Sequence, residues 1–357
     1  MQTTSFPTIT DPQVAPVYSG PLSATLSGFI QEARDEVFVR LMLRMLVVMP
    51  LAMGAVWYAV HYTAVPFWAA WLAYLALWGL LLPPVILMLH CTMHRPFFRS
   101  KFLTKAHPYV MSALFGIPSG YREHHMAVHH VEDNMGEDIS STIAYQRDSF
   151  LHFLMYFGRF FFFVTIELPL YLFRKGRTSM ARRVIVMETS HELLVLGVCL
   201  LDWRFGVPAF LLPMVIVRFM MMAGNWGQHA FINVDHKNNG IANAITCINV
   251  GYNRRCFNDG YHIGHHMKAN RHWTELPGDF IANREQYVRE GAVVFAGIDF
   301  FLVSLLLWTK QWGILARCYV RLDGVERSDA EVIAMLKERV KPVTRWPLES
   351  IGVATAG

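Results

Sequence analysis

Long apolar runs separated by short polar breaks dominate this chain. Residues 41–62 form the first run, with Arg44 and His61 as its clearly polar interruptions, and residues 67–89 form the second. At the helical rise, each is long enough to cross the roughly 30 Å hydrocarbon layer of a bilayer. The break at 63–66 has room only to reverse the chain, so the pair predicts a transmembrane hairpin. After the polar stretch 90–105, the weaker apolar segment 108–118 is too short to span and predicts an in-plane or re-entrant helix. Residues 150–173 are apolar and rich in phenylalanine, and 184–201 and 207–223 are two more candidates joined by a tight turn at 202–206. Residues 293–308 are apolar as well, but Asp299 lies inside them, which predicts an interfacial or buried segment.

Charge decides which runs cross. The loop 174–183 holds Arg174, Lys175, Arg177, Arg182 and Arg183 and no acidic residue. Basic loops stay on the cytoplasmic side. A span at 150–173 would carry that loop to the opposite side from the earlier polar segments. With 150–173 lying in the interface, the last two runs form a second hairpin, and Arg204 is the sole Lys or Arg in the outer turns. The expected fold is therefore all-α: an integral membrane four-helix, two-hairpin bundle with interfacial helices and a histidine-rich cap on the cytoplasmic face. The first forty residues are polar and carry Pro7, Pro12, Pro16 and Pro21, without the basic start and apolar core of a signal peptide. The expected organisation is a polar segment 1–40, a membrane domain 41–310 and a soluble tail 311–357. In that tail Ser328 and Glu331 form a capping box ahead of a helix reaching about Val340.

Composition agrees with this picture. Of 357 residues 54% are hydrophobic and the net charge is only +5, which excludes a disordered, collagen-like or heavily charged coiled-coil protein. That charge suits a membrane surface as well as an acidic partner, and no nucleic-acid partner is expected. Five cysteines without a C-x-x-C pair argue against a disulfide scaffold or zinc ribbon and fit a reducing compartment. The unusual count is sixteen histidines, because most of them are bunched.

Four clusters stand out: His90 and His94 after the second run; His124, His125, His129 and His130 in R-E-H-H-M-A-V-H-H; Asn225 and His229 in N-W-G-Q-H; and His262, His265 and His266 in H-I-G-H-H. On a helix, residues three or four apart share a face. His90 with His94, His125 with His129, Asn225 with His229, and His262 with His266 fit that spacing, and two imidazoles on one face can hold one metal ion. The adjacent His130 or His265 can then reach a neighbouring ion. Without His124, the clusters supply nine imidazoles. One zinc ion takes about four ligands and an octahedral ion about six, so nine suit two ions. The two-hairpin topology brings all four clusters out on one face. His61, His107, His152, His191, His236 and His272 stand alone and read as ordinary hydrogen-bonded histidines.

Imidazole suits zinc, copper, iron and nickel alike, and the absence of H-E-x-x-H argues against a zinc peptidase. A two-metal site at the bilayer surface is placed to act on a chain emerging from lipid. Attack on an unactivated C–H bond requires an oxygen-derived oxidant, for which iron is the usual carrier. Glu123, Asp133 and Asp259 lie close enough in sequence to orient ligand rings, and His124 is a candidate for the same role. Arg122, Lys268 and Arg271 are candidates for an acyl head group or for lipid phosphate. Trp226, Trp273 and the phenylalanine-rich run are candidates for tunnel walls or for interface aromatics.

These motifs resemble the membrane fatty-acid desaturase superfamily, whose three histidine boxes, H-x(3–4)-H, H-x(2–3)-H-H and H-x-x-H-H, are matched in order by His90/His94, His125/His129/His130 and His262/His265/His266. Asn225/His229 is similar to the isolated asparagine–histidine pair of acyl desaturases. The resemblance covers roughly residues 41–272. It implies that the nine histidines hold two iron ions (Fe2+), that Asn225 orients a metal-bound water, and that O2 is co-substrate. It further implies a fatty acyl substrate within membrane lipid and a separate electron donor, ferredoxin- or cytochrome b5-like. Three residues precede the His-His pair of the middle box, as in alkane-hydroxylase relatives, where many acyl desaturases have two. Desaturation is the leading expectation, with hydroxylation or oxidative decarboxylation to a terminal alkene as alternatives. A membrane metal transporter is the alternative of another class. It would need ionisable groups inside the spans, where Glu188, His191 and Glu192 form a cluster.

Overall fold

A computed structural model describes residues 6–233 and 239–343 of the chain. Helices α1 (Glu36–Tyr62) and α2 (Phe67–His94) pack as a hairpin. α3 (Lys101–Phe115) begins at Ser100, whose hydroxyl accepts from the Leu103 N–H, and ends at Gly116 with φ 73°. Glycine is required there twice over. The left-handed turn disfavours a side chain, and a Cβ would stand 2.7 Å from the backbone nitrogen of Met214. α4 (Phe150–Arg174) turns at Lys175 into α5 (Thr178–Leu201), and α6 (Leu212–Gln228) follows the turn at Asp202.

Five helices among the described residues are long and apolar enough to cross a membrane, α4 among them. That is one more than the two-hairpin expectation counted. α4 packs against α5 and α6 and also makes polar contacts with the segment that follows the middle histidine box. Near its start Tyr156 Oη donates to Ser140 O at 3.1 Å; near its end the Tyr171 hydroxyl bonds Glu132, and Arg177 just beyond it donates to Ala127 O at 2.6 Å. Tyr156 and Tyr171 are about 22 Å apart at the helical rise, yet both touch the segment around the middle histidine box.

The two hairpin tips meet at the other end of the bundle. His61 Nε2 lies 2.8 Å from Asp202 Oδ2, Trp71 Nε1 donates to Arg204 O at 2.8 Å, and Trp71 and Trp203 stack edge to face. With the tips joined, the C-terminal ends of α2 and α6, which carry the first histidine pair and Asn225/His229, lie together at the opposite end.

The remaining chain caps that end. Two four-residue strands, β1 (Ile245–Ile248) and β2 (Val293–Ala296), pair in parallel, a departure from the all-helical expectation. β2 takes the start of the apolar run 293–308. The rest becomes helix α8 (Phe300–Trp308), with Asp299 as the side-chain cap of its first turn, which explains a carboxylate inside an apolar stretch. Between the strands lies the short helix α7 (His262–Met267). The helix expected in the tail is α9 (Asp329–Arg339), with the Ser328–Glu331 capping box formed. Its Val332 and Leu336 share one core with Val293, Phe295 and Leu307.

α6 and α8 cross closely enough that a Cβ at Gly227 would lie 2.3 Å from Phe300 O and 2.8 Å from Ser304 Oγ. Overpacking of this kind costs about 1–3 kcal/mol. Gly227→Ala should lower the thermal midpoint of the purified protein in detergent. Gly79→Ala, where a Cβ meets nothing within 4 Å, should leave the midpoint unchanged or raise it.

Candidate metal centre

The histidines reach one another because each sits at the end of an element. His90 and His94 occupy the last two turns of α2, His229 follows the last residue of α6, and His262, His265 and His266 ride on α7. The middle box differs from the sequence expectation. Residues His125–His129 form a single π turn, and the His130 N–H bonds to His125 O. That wider turn stacks residues five apart rather than four. His125 therefore pairs with His130, their Nε2 atoms 3.0 Å apart, and His129 is the one that turns to the neighbouring group, the reverse of the expected pairing.

All nine histidines come together in two groups. His90, His94, His125, His130 and His265 form one; His129, His229, His262 and His266 form the other, and in each group one ring nitrogen per residue lies within 4.8 Å of the rest. As expected, His262 and His266 share a group and His265 reaches the other. In the first group His265 Nε2 is 2.8 Å from His90 Nε2 and 2.9 Å from His130 Nε2. In the second, His262 Nε2 is 3.2 Å from His229 Nε2 and 3.0 Å from His266 Nε2.

Four of the outward-facing nitrogens have partners of their own. His90 Nδ1 lies 3.0 Å from Asp259 Oδ1, His129 Nδ1 2.8 Å from Asp138 Oδ2, His229 Nδ1 2.9 Å from Asn243 O, and His266 Nδ1 3.1 Å from Asp133 Oδ1. A carbonyl or carboxylate can only accept, so these Nδ1 atoms carry the protons and the Nε2 atoms facing inward are bare. In the contacts His90–His265, His229–His262 and His266–His262 at least one bare lone pair faces the centre of its group, and a cation there would take such lone pairs as ligands. The donor set thus fits two metal ions. Burial, reinforced by neighbouring imidazoles, holds His125, His130, His262, His265 and His266 below their ordinary value and His229 down at about 3. At neutral pH they are uncharged and able to ligate.

A cleft of about 140 Å³ borders both groups: His90 and His125 line it from one, His129 and His262 from the other. Its other walls are mainly apolar and include Leu82, Ile86, Phe160, Met221 and Phe300. Asn225 lines it too, with its Nδ2 committed to Ser140 O (2.9 Å) and Tyr156 Oη (2.7 Å).

The remaining candidates divide. Asp259 and Asp133 contact rings as expected. Glu123 does not: it is buried and taken by Arg183 at 3.1 Å. His124 borders the cleft, and its Nε2 stands 4.0 Å from Asp138 Oδ1. Arg271 binds Asp279 and Gly264 O beside α7. Trp226 packs in the core and donates to Arg147 O rather than lining the cleft, and Trp273 packs against Phe257. Glu188, central to the ion-path alternative, is paired with Arg218 at 3.1 Å and accepts the Gly120 N–H at 2.5 Å, so its charge is compensated. Of the isolated histidines, His61 pairs with Asp202, His107 with Thr92 and His272 with Thr274; His236 lies outside the described residues. Asp138 and the Asn243 carbonyl went unrecognised in the sequence, because loop closure rather than helical spacing brings them to the rings.

The profile of the fatty acid desaturase family matches residues 66–297, well over half the chain and inclusive of all nine histidines. No curated protein matches the chain.

Carboxylates that fix ligand rings typically contribute 10–100-fold in metal affinity. Asp259→Asn and Asp138→Asn should each weaken metal retention by about that factor, read as metal per chain after dialysis against graded chelator. Wild-type retention in both would contradict the assigned ring contacts.

Proposed function

Because the chain belongs to the fatty acid desaturase family, we propose that residues 41–310 carry an oxygen-dependent, two-iron enzyme that desaturates a fatty acyl chain. The observation that carries this reading is the apolar cleft ending on both histidine groups. His90, His94, His125, His130 and His265 hold one ion; His129, His229, His262 and His266 hold the other. When bound, the two iron ions supply the dioxygen activation that attack on an unactivated C–H bond demands.

The chain's own residues do the rest. The walls from α2, α4, α6 and α8 remove an acyl chain from water, each buried methylene contributing about 0.8 kcal/mol, and lay a segment of it beside the four histidines at the cleft's end. Asp259, Asp138, Asp133 and the Asn243 carbonyl hold the rings in the ligating tautomer. With its Nδ2 committed, Asn225 has Oδ1 left to receive a water at the metals. Overall, two hydrogens leave adjacent carbons while dioxygen is reduced to water, and a separate ferredoxin- or cytochrome b5-like protein provides the additional electrons. The two hairpins span the bilayer, α4 lies along the interface, and the histidines face the cytoplasm. The joined tips, the contacts of α4 and the basic loop at 174–183 support that topology.

One observation favours a second product: the π turn accommodates the three-residue middle box shared with alkane-hydroxylase relatives. Hydroxylation, or oxidative decarboxylation to a terminal alkene, is the corresponding outcome. The experiment is a product profile, lipids and headspace together, of cells expressing the wild type or His265→Ala. The expected result is a new unsaturated acyl product in the wild type alone, with less iron in the purified variant. A hydroxylated or carbon-shortened product instead would select the second reading; identical products and iron in both would overturn the assignment.

A further inference from the structure

The segment 249–261, which includes the short helix Gly251–Arg255, joins β1 to α7, and much depends on its shape. It sets Asp259 against His90 and delivers His262, His265 and His266 to the two groups. It adopts a backbone that side chains other than glycine rarely take: φ is 55° at Asn249, 51° at Phe257 and 55° at Asn258. Such conformations persist only where the surroundings over-determine them.

Much of that surrounding structure comes from the opposite end of the chain. Asp11 is buried, and its Oδ2 accepts from the Asn249 N–H at 2.6 Å and from Tyr261 Oη at 2.7 Å, so one oxygen ties the first residue of the loop to the last. Tyr261 is itself buried, immediately precedes His262, and its carbonyl accepts the His265 N–H at 3.0 Å. On either side of Asp11, the Thr10 N–H donates to Asn249 Oδ1 at 2.7 Å, Asn249 Nδ2 donates to Thr8 O at 2.9 Å, and Asn258 Nδ2 donates to Pro12 O at 2.6 Å. Phe6 anchors the segment, its ring 5.8 Å from that of Phe280 and under the Arg284 guanidinium at 4.8 Å.

We propose that residues 6–12 form a strap that sets the geometry of the third histidine box, with Asp11 as its positioning residue. This rests on the reading of the nine histidines as metal ligands. Asp11 touches no imidazole in these contacts; it acts through Tyr261 and Asn249. Its requirement is an acceptor oxygen at one point rather than a negative charge, since a single oxygen serves both donors. Asn at that position keeps the acceptor, whereas Ala leaves a buried hydroxyl and a backbone N–H without it.

The test uses the full chain, stripped of metal, in detergent and titrated with Co2+, whose d–d absorption reports ligand geometry as well as occupancy. The wild type should take up two ions. Asp11→Ala should bind about tenfold more weakly, the scale of lost ligand support, with a shifted absorption band. Asp11→Asn should restore both affinity and band. Tyr261→Phe keeps the ring and removes one of the two bonds; it should move both readouts the same way by less, and it carries the test if the alanine variant does not fold. Wild-type affinity and spectrum in Asp11→Ala or, in that event, in Tyr261→Phe would overturn the strap alone. Equal damage in Asp11→Ala and Asp11→Asn would also overturn it, because the charge would then matter and not the acceptor. No Co2+ uptake by the wild type would instead overturn the ligand reading beneath it.

Discussion

The convergence of nine imidazoles, held so that lone pairs turn inward, is the constraint on which this structure turns. Where a histidine gives its Nδ1 proton to an aspartate or a carbonyl, its Nε2 is left with a lone pair and nothing to donate. Four such rings, His90, His129, His229 and His266, turn a lone pair into two buried groups of imidazoles, and nine imidazoles share too few protons to satisfy every ring nitrogen there without another partner. A pair of cations would supply that partner, as the proposed function requires. Four of the nine rings, His90, His129, His266 and His229, are kept from rotating by Asp259, Asp138, Asp133 and Asn243 O behind them.

The rest of the fold reads as a means of keeping that arrangement. Joining the hairpin tips through His61–Asp202 and Trp71–Arg204 puts the ends of α2 and α6 at one level, so that His90, His94 and His229 face a common centre. The π turn adds a residue to one helical turn, sending His125 and His130 one way and His129 the other. The close crossing of α6 and α8 at Gly227 sets His229 two residues later. The apolar cleft then borders both groups, which is where the proposed function needs an acyl chain to lie.

Much of this was legible in the sequence, for identifiable reasons. Run length gave the long helices, and ligand spacing gave all nine histidines, because helical periodicity is a local property. What escaped was whatever depends on closure. Three residues before a His-His pair fit an α-helical turn as well as a π turn, so the partners of His125 and His129 were exchanged. Asp138 lies in a loop and Asn243 ends a four-residue helix, and the return of neither to the rings has a spacing signature. The strands ITCI and VVFA are four residues each, and the second opens an apolar run, so neither registered as sheet. The polar, proline-bearing start reads as a segment outside the membrane domain, although Asp11 is buried against the segment that feeds α7. Glu123 was misplaced for the converse reason: proximity to a histidine in sequence says nothing about the side of a helix on which Arg183 waits.

The measurement that tests the account most directly is anomalous diffraction at the iron edge from crystals of the iron-loaded protein. Two peaks are predicted, one within coordination distance of His90, His94, His125, His130 and His265 nitrogens, the other among those of His129, His229, His262 and His266. A single peak, or density that leaves either group without metal, would contradict it.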